Sequence, residues 1–228
     1  MKKKYFWILI LIAVAGLFYS LKTNSSKPTG NNEFDFEPVQ ENTFFELKKG
    51  DILLRPNSDN LPGSITIPYG RMYGHAAIVT EGAKGRTINE ALKKAKVVEA
   101  LFFDQATRKF QWKKTNQIRE GSAIVSFGNR FKGIRFRLRT DITSEQADEM
   151  VWFAKNQLDG GYNILSLKRK ESNLGEIKNE NWHCATLVWD AYYHTMGIDL
   201  DANGGIFIYP SDIIANPVFN NPDGRIRF

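Results

Sequence analysis

The chain contains one thiol, Cys184, in the stretch NWHCATLVWDAYYHTMG at residues 181–197. The pattern predicts that Cys184 opens a helix, where unpaired backbone N–H groups and the helix dipole favour the thiolate. Free cysteine is also among the most frequently buried residue types, so a structural thiol is the competing interpretation. A base close to the thiol would favour the nucleophile.

Two other side chains have the chemistry to act with the thiol. His75, in YGHAAIV, places an imidazole at the edge of an apolar strand, and Glu99, in VVEAL, places a carboxylate inside another. An unpaired charge at such a position costs several kcal/mol, so Glu99 is expected to have a cationic or N–H partner. If the two strands are neighbours, Glu99 accepts the imidazole proton and fixes the tautomer of His75. The alternatives are an ordinary strand-end histidine and an outward-facing glutamate.

Several motifs of other enzyme classes are absent from the sequence. There is no Walker loop, GxGxxG, HExxH, CxxC or GxSxG, which removes the usual support for nucleotide-binding, zinc-protease and serine-hydrolase interpretations. A zinc site would need His183 and Cys184 together with distant ligands at no recognised spacing. We therefore expect neither a metal nor a cofactor.

The front half of the chain is predicted to be mostly strand. The alternating IRFRLR pattern puts Ile134, Phe136 and Leu138 on one face. The arginines of the other face are typical of a charged edge strand, which explains them better than nucleic-acid binding. The predicted strands are residues 50–55, 75–80, 97–101, 122–127 and 134–139, and the arginines are Arg135, Arg137 and Arg139.

The back half changes to helical periodicity. Thr143 and Gln146 form a capping box ahead of a helix that ends before Gly160. Residues 184–196 form a second helix, with Gly197 in the stop position. A strand-rich half followed by a helical half predicts an α+β fold.

The N-terminus predicts export. Residues 1–21 place three lysines before 17 uncharged residues, a pattern typical of a signal peptide or an N-terminal membrane anchor. Residues 22–43 are a polar linker, and residues 44–228 form one domain with a sizeable core. Of the net charge of +6, the three lysines contribute half. With one cysteine, an intramolecular disulfide is excluded.

The order of four segments resembles a known family. GDILL, GHAAIV, VVEA and then a cysteine at a helix start resemble the circularly permuted papain-like fold of the NlpC superfamily, YiiX-like branch. The resemblance spans about residues 50–217, including GGYNI and YPSDI. It implies an antiparallel sheet or small barrel packed against helices, with Cys184 as nucleophile, His75 as general base and Glu99 as the orienting residue. It also implies that Tyr162 lies near the substrate carbonyl.

Two neighbours of the thiol complete the predicted site. His183 and Trp182 are expected to line the cleft and bind substrate. Adjacent side chains at a helix start diverge by about 100°, so His183 is not expected to be the base. Residues 81–96 are longer than a tight turn requires, which leaves open both the register of Glu99 and whether this segment is a lid.

The function expected from these features is an exported cysteine hydrolase that cleaves amide bonds through an acyl-enzyme, with cell-wall peptides as substrate. The alternative is a lipid acyl hydrolase or acyltransferase, for which aromatic residues near the cleft would hold an acyl chain. These are Trp182, Trp189, Phe207 and Tyr209. A further alternative is a non-catalytic, membrane-tethered binding module. The expected partners are the substrate and, through the N-terminus, the membrane; no nucleic acid is expected, and the protein is expected to be a monomer outside the cytoplasm.

Overall fold

The structure is a computed structural model that describes residues 39–40, 42–56, 73–102, 116–129, 135–168, 181–202 and 204–228. The predicted N-terminal segment 1–21 and most of the linker 22–43 lie outside the described residues. Among the helices that are described, none combines the length and the apolarity needed to cross a bilayer. Export and membrane attachment therefore stay predictions.

The described part of the chain has an α+β fold, as the sequence predicts. The strands are β1 (Phe45–Leu47), β2 (Ile52–Pro56), β3 (Tyr73–Glu81), β4 (Ala83–Gly85), β5 (Lys96–Ala100), β6 (Ile118–Ser122), β7 (Phe136–Leu138) and β8 (Arg225–Arg227). The helices are α1 (Ile88–Lys94), α2 (Ile124–Phe127), α3 (Ser144–Asn156), α4 (Cys184–Met196) and α5 (Pro210–Ala215), with a 3-10 turn at Pro217–Phe219.

A six-stranded antiparallel sheet organises the molecule. Its order is β6-β5-β3-β2-β7-β8, and β1 and β4 form a separate pair. The described strands do not close into a barrel, so the sheet alternative of the prediction is confirmed and the small barrel is wrong.

Each face of the sheet is covered by its own core. Along β3, Ala76 and Ile78 pack into the core that includes residues of α3, α4 and α5, whereas Ala77 and Val79 pack into the core that includes residues of α1 and α2. This alternation follows from the two-residue period of a strand. Fully burying Leu187 and Val188 on the α4 side contributes about 1.5–3 kcal/mol each.

Helix α4 occupies the predicted residues. His183 is its N-cap, with extended backbone, and Gly197 ends it in the left-handed region at φ 67°, a conformation that favours glycine. The hydroxyl of Tyr192 donates to the carbonyl of Gly50 over 2.8 Å, which joins the helix to the loop before β2. The helix is thereby fixed against the sheet.

Two local predictions are corrected by the structure. Residues 122–127 are not a strand: β6 ends at Ser122 and helix α2 follows. The arginine-bearing strand β7 is not an edge, because it lies between β2 and β8. Arg137 is buried and donates to the exposed Asp223, and Arg139 forms a two-fold hydrogen bond with the buried Asp51, so acidic side chains of the fold neutralise this face.

The segment 81–96 is part of the fold. It contains β4 and α1, and α1 buries Ile88, Ala91 and Leu92 against the sheet. These contacts place the segment in the core on one face of the sheet, so it is a packed part of the fold and not a lid. Strand β5 then pairs in regular register with β6, with Glu99 opposite Arg119.

Helix α3 begins with the predicted capping box. The Thr143 hydroxyl accepts from the Gln146 N–H at 3.2 Å, and the Gln146 side chain accepts from the Thr143 N–H at 2.9 Å. We expect Thr143→Ala to lower the free energy of unfolding by about 1 kcal/mol in urea denaturation, because the cap is lost. Thr143→Ser, which keeps the hydroxyl, is the matched control and should stay within a few tenths of a kcal/mol of wild type. Equal stability of the alanine and serine variants would contradict a capping role.

Candidate functional site

The candidate site lies where β3 begins, β5 ends and α4 begins. The paired residues of β3 and β5 run from Glu81 and Lys96 to Ile78 and Val98 and stop there. Strand β5 continues beside β6 as far as Ala100. The two strands therefore separate next to His75 and Glu99, and the first turn of α4 lies at this gap.

His75 and Glu99 are brought together as the sequence predicts. His75 Nε2 lies 2.7 Å from Glu99 Oε2, and both side chains are buried. The imidazole stacks on Phe127 with ring centres 5.6 Å apart. Glu99 Oε1 accepts from the Ser126 hydroxyl at 2.7 Å and lies 3.8 Å from Arg119 Nε. Both oxygens of the buried carboxylate thus have partners.

The protonation state of the pair follows from its surroundings. Burial lowers the pKa of His75 by more than the hydrogen bond to Glu99 raises it. Burial acts to raise the pKa of Glu99, but the hydrogen bonds from His75 and Ser126 and the charge of Arg119 bring it below its usual value. A neutral imidazole therefore donates Nε2–H to an ionised carboxylate, and Nδ1 keeps a lone pair that can accept a proton.

Cys184 is the first residue of α4 and is buried. Burial raises the pKa of its thiol to about 11, although the N–H of Ala76, the charge of Arg55 and the N–H groups of the helix start act to lower it. The helix start has the effect that the sequence predicts, but burial is the larger contribution. At neutral pH the resting sulfur is a thiol, and an external base must take its proton.

The backbone of β3 connects the His75–Glu99 pair to Cys184. Val79 bonds with Asp51 and Gly50 on the β2 side, so by alternation the N–H of Ala76 points towards β5, into the gap. There it donates to the sulfur of Cys184. His75, the preceding residue, extends from the other face towards Phe127. Among the described residues, the His75 ring and the Cys184 sulfur do not form a hydrogen bond.

Tyr162 lies beside the thiol. Its N–H donates to Gln117 Oε1 at 2.7 Å, and its ring lies 5.8 Å from the ring of His183. Burial, with the neighbouring Cys184, raises the pKa of the Tyr162 hydroxyl well above its usual value. The phenol therefore stays protonated and is available as a hydrogen-bond donor.

Trp182 is a correction to the predicted cleft. It is fully buried, its ring packs edge-on against Phe153 at 5.8 Å, and its Nε1 lies 3.3 Å from Gln157 Oε1. These contacts fix the indole against α3 in the core. Trp182 is a packing residue, and we remove it from the candidate substrate contacts.

His183 lies closer to the sulfur than the sequence argument allows. Its Nε2 is 3.8 Å from Cys184 Sγ. The 100° divergence holds between two helical residues, but His183 is the N-cap, with extended backbone at φ −80° and ψ 150°. The geometric reason for placing His183 away from the sulfur was therefore wrong.

Two residues of the site were missed from the sequence. Arg55 is buried opposite His75 in the register of β2 and β3, and its charge lowers the pKa of both His75 and Cys184. The signal was an arginine closing the apolar run GDILLR. Ser126 was missed because residues 122–127 are predicted to be a strand. In the structure Ser126 lies on helix α2, and from there its hydroxyl reaches Glu99.

The described residues contain no group of three or more histidine, cysteine and acidic side chains that could hold a metal ion.

Comparison with known proteins identifies similarity to a curated protein and to a solved structure. No protein-family model matches the chain. Over 75 residues the chain is 28% identical to the uncharacterized protein YycO of Bacillus subtilis (strain 168), which covers 33% of this chain and 29% of YycO. The chain thus aligns with less than a third of that relative. The crystal structure of metalloprotein yiiX from Escherichia coli O157:H7 is similar with a TM-score of 0.48 and 14% identity, over 79% of this chain and 96% of that one.

Neither similarity determines a family.

The buried histidines make stability depend on pH. Burial, followed by the nearby His75, lowers the pKa of His183 from 6.5 to about 4. Between these values the unfolded chain binds a proton that the folded chain does not, so stability falls as pH falls. His75 acts in the same direction below 6.5, and Glu99 adds a loss only below 4.5.

We expect the free energy of unfolding to fall between pH 6.5 and 5, with His183 alone contributing roughly 2 kcal/mol. Urea denaturation at both pH values measures this loss. His183→Asn, which removes the imidazole, should show a loss smaller by that amount. Identical losses in wild type and variant would contradict the assignment of a neutral, buried His183.

Proposed function

We propose that the protein is an exported cysteine hydrolase with a circularly permuted papain-like arrangement, which cleaves amide bonds, with cell-wall peptides as its substrate. The observation that carries the proposal is the buried His75–Glu99 pair at the gap that holds the Cys184 sulfur. A neutral imidazole oriented by a carboxylate is the arrangement that activates a nucleophile.

The proposed reaction uses Cys184 as nucleophile and His75 as acid and base. His75 Nδ1 takes the thiol proton as the sulfur attacks the carbonyl carbon, and the imidazolium gives that proton to the departing amine as the C–N bond breaks. Water, deprotonated by the same imidazole, then attacks the thioester carbonyl carbon; the C–S bond breaks, the acid is released and the imidazolium returns its proton to the Cys184 sulfur. Glu99 keeps the proton on Nε2 and stabilises the imidazolium.

Two features support this division of roles. The raised pKa of Cys184 favours base-assisted attack over a resting thiolate. The N–H of Cys184, at the start of α4, is the proposed donor to a developing oxyanion; loss of one such donor typically costs about 10²–10³ in kcat. The attack requires the His75 ring and the sulfur to approach each other, and catalytic hydrogen bonds commonly tighten only when substrate binds.

The decisive test incubates the full-length protein, in detergent, with cell-wall peptides and with acylated lipids, and identifies products by mass spectrometry. We expect Cys184→Ala to abolish turnover. Glu99→Gln should reduce kcat/KM by roughly 10²-fold or more, because the tautomer of His75 is no longer fixed. Glu90→Gln, which changes an exposed carboxylate on α1 in the same way, is the matched control. A Cys184→Ala protein as active as wild type would eliminate Cys184 as the nucleophile, and a wild-type protein that turns over neither substrate would leave the non-catalytic binding module.

A lipid acyl hydrolase or acyltransferase is the second candidate, and a particular surface favours it. We use the term apolar rim for the exposed Ile164, Leu165, Leu167 and Ile206, which have 46–64% of their surface accessible. Ile164 lies two residues after Tyr162, and the Ile206 carbonyl accepts from the Lys168 N–H. Exposed apolar side chains around the segment that follows Tyr162 are typical of a surface that meets an apolar substrate.

Substituting this rim separates the two candidates. If the substrate is an acyl lipid in a membrane, Ile164→Ser with Ile206→Ser should lower turnover of vesicle-bound lipid by about tenfold or more, because apolar burial against the substrate is lost. Turnover of a soluble peptide should change little. Trp152→Ser, which removes a similarly exposed apolar side chain from α3, is the control. An unchanged rate on lipid vesicles would contradict a role for the rim.

A further inference from the structure

His183 contacts the start of α4 through both ring nitrogens. Nδ1 lies 3.4 Å from the N–H of Ala185 and accepts from it, as an N-cap side chain does. Nε2 lies 3.8 Å from the sulfur of Cys184. The same imidazole therefore caps the helix and faces the nucleophile.

The capping contact determines which nitrogen carries the proton. Burial lowers the pKa of His183 to about 4, so the ring is neutral at physiological pH and has a single N–H. Because Nδ1 uses its lone pair to accept from Ala185, the proton resides on Nε2. The group that points at the sulfur is consequently a donor, and it has no lone pair to receive the thiol proton.

Two aromatic rings hold this orientation. The rings of Tyr162 and Tyr209 lie 5.8 Å and 5.9 Å from the imidazole, both edge to face, and Tyr209 is the N-cap of α5. Edge-to-face packing restrains the plane of a ring more than undirected apolar contact does. The direction of Nε2–H is thus fixed from two sides.

We propose that His183 is a positioning residue that donates Nε2–H to the Cys184 sulfur and stabilises the thiolate when the proton leaves. Hydrogen bonds to a charged acceptor are stronger than those to its neutral form, so the donor favours the thiolate over the thiol. The assignment of His75 as the base rests on the proposed function, whereas the donation from His183 to sulfur does not.

Two substitutions separate the capping atom from the donating atom. Asparagine places its amide near Nδ1 and remains a good N-cap, but it has nothing near Nε2. Glutamine extends further and can place an amide N–H near Nε2. The measurement is the second-order rate of Cys184 alkylation by iodoacetamide at pH 8, with the same reaction in denaturing urea as reference for each variant.

We expect His183→Asn to react about tenfold more slowly than wild type, equivalent to one pKa unit, and His183→Gln to react within about threefold of wild type. Asparagine is smaller than histidine, so better access to the sulfur would accelerate the reaction; a slower reaction therefore reports the lost donor. His183→Asn reacting as fast as wild type, or His183→Gln reacting as slowly as His183→Asn, overturns the proposal.

These outcomes are separable from those of the hydrolase test, because alkylation needs no substrate. If His183→Asn alkylates slowly while no preparation cleaves amides or esters, the donor role stands and the proposed function fails. If alkylation is unaffected while turnover depends on Cys184 and Glu99, the proposed function stands and the donor role fails.

Discussion

The site depends on one buried negative charge. Glu99 lies inside a strand that is covered on both faces, where an ionised carboxylate without partners would cost several kcal/mol. The fold supplies N–H, O–H and cationic partners from three other elements: His75 on β3, Ser126 on α2 and Arg119 on β6. Because the imidazole N–H is one of the donors that keep the carboxylate ionised, the requirement that stabilises Glu99 also fixes the tautomer and direction of His75.

The protonation state of the Cys184 thiol is set by two opposing effects, burial and the local N–H groups and charge. Backbone N–H groups and Arg55 favour the thiolate, but burial outweighs them and the pKa rises to about 11. The position at a helix start therefore does not by itself make this cysteine reactive. The same burial keeps His183 neutral, which is what allows its ring to face the sulfur as a donor.

The sequence predicts the parts of this site that depend on local rules. Helix α4, its αL glycine and the Thr143 capping box follow from spacing and residue type, and the pairing of His75 with Glu99 follows from the cost of a buried charge. What the sequence misses is non-local. Arg55 enters only through the strand register, and the capping geometry of His183 appears only once its backbone is known to be extended. The sequence prediction placed Trp182 in the cleft because residue type and neighbours alone do not distinguish a tryptophan that lines a cleft from one that packs in the core.

The energetics of proton transfer decide whether such a protected thiol can serve as a nucleophile. With the thiol pKa near 11 and that of His75 below 6.5, moving the proton between them in the resting site costs at least about 6 kcal/mol. A turnover of about 10 per second corresponds to a barrier near 16 kcal/mol, so this cost leaves about 10 kcal/mol for bond formation and rearrangement. A hydrogen bond from His183 becomes stronger as negative charge develops on the sulfur. It therefore lowers the free-energy cost of the proton transfer from Cys184 to His75. A neutral resting pair, with donors already directed at the sulfur, is thus compatible with hydrolysis and protects the only cysteine until a substrate enters the gap.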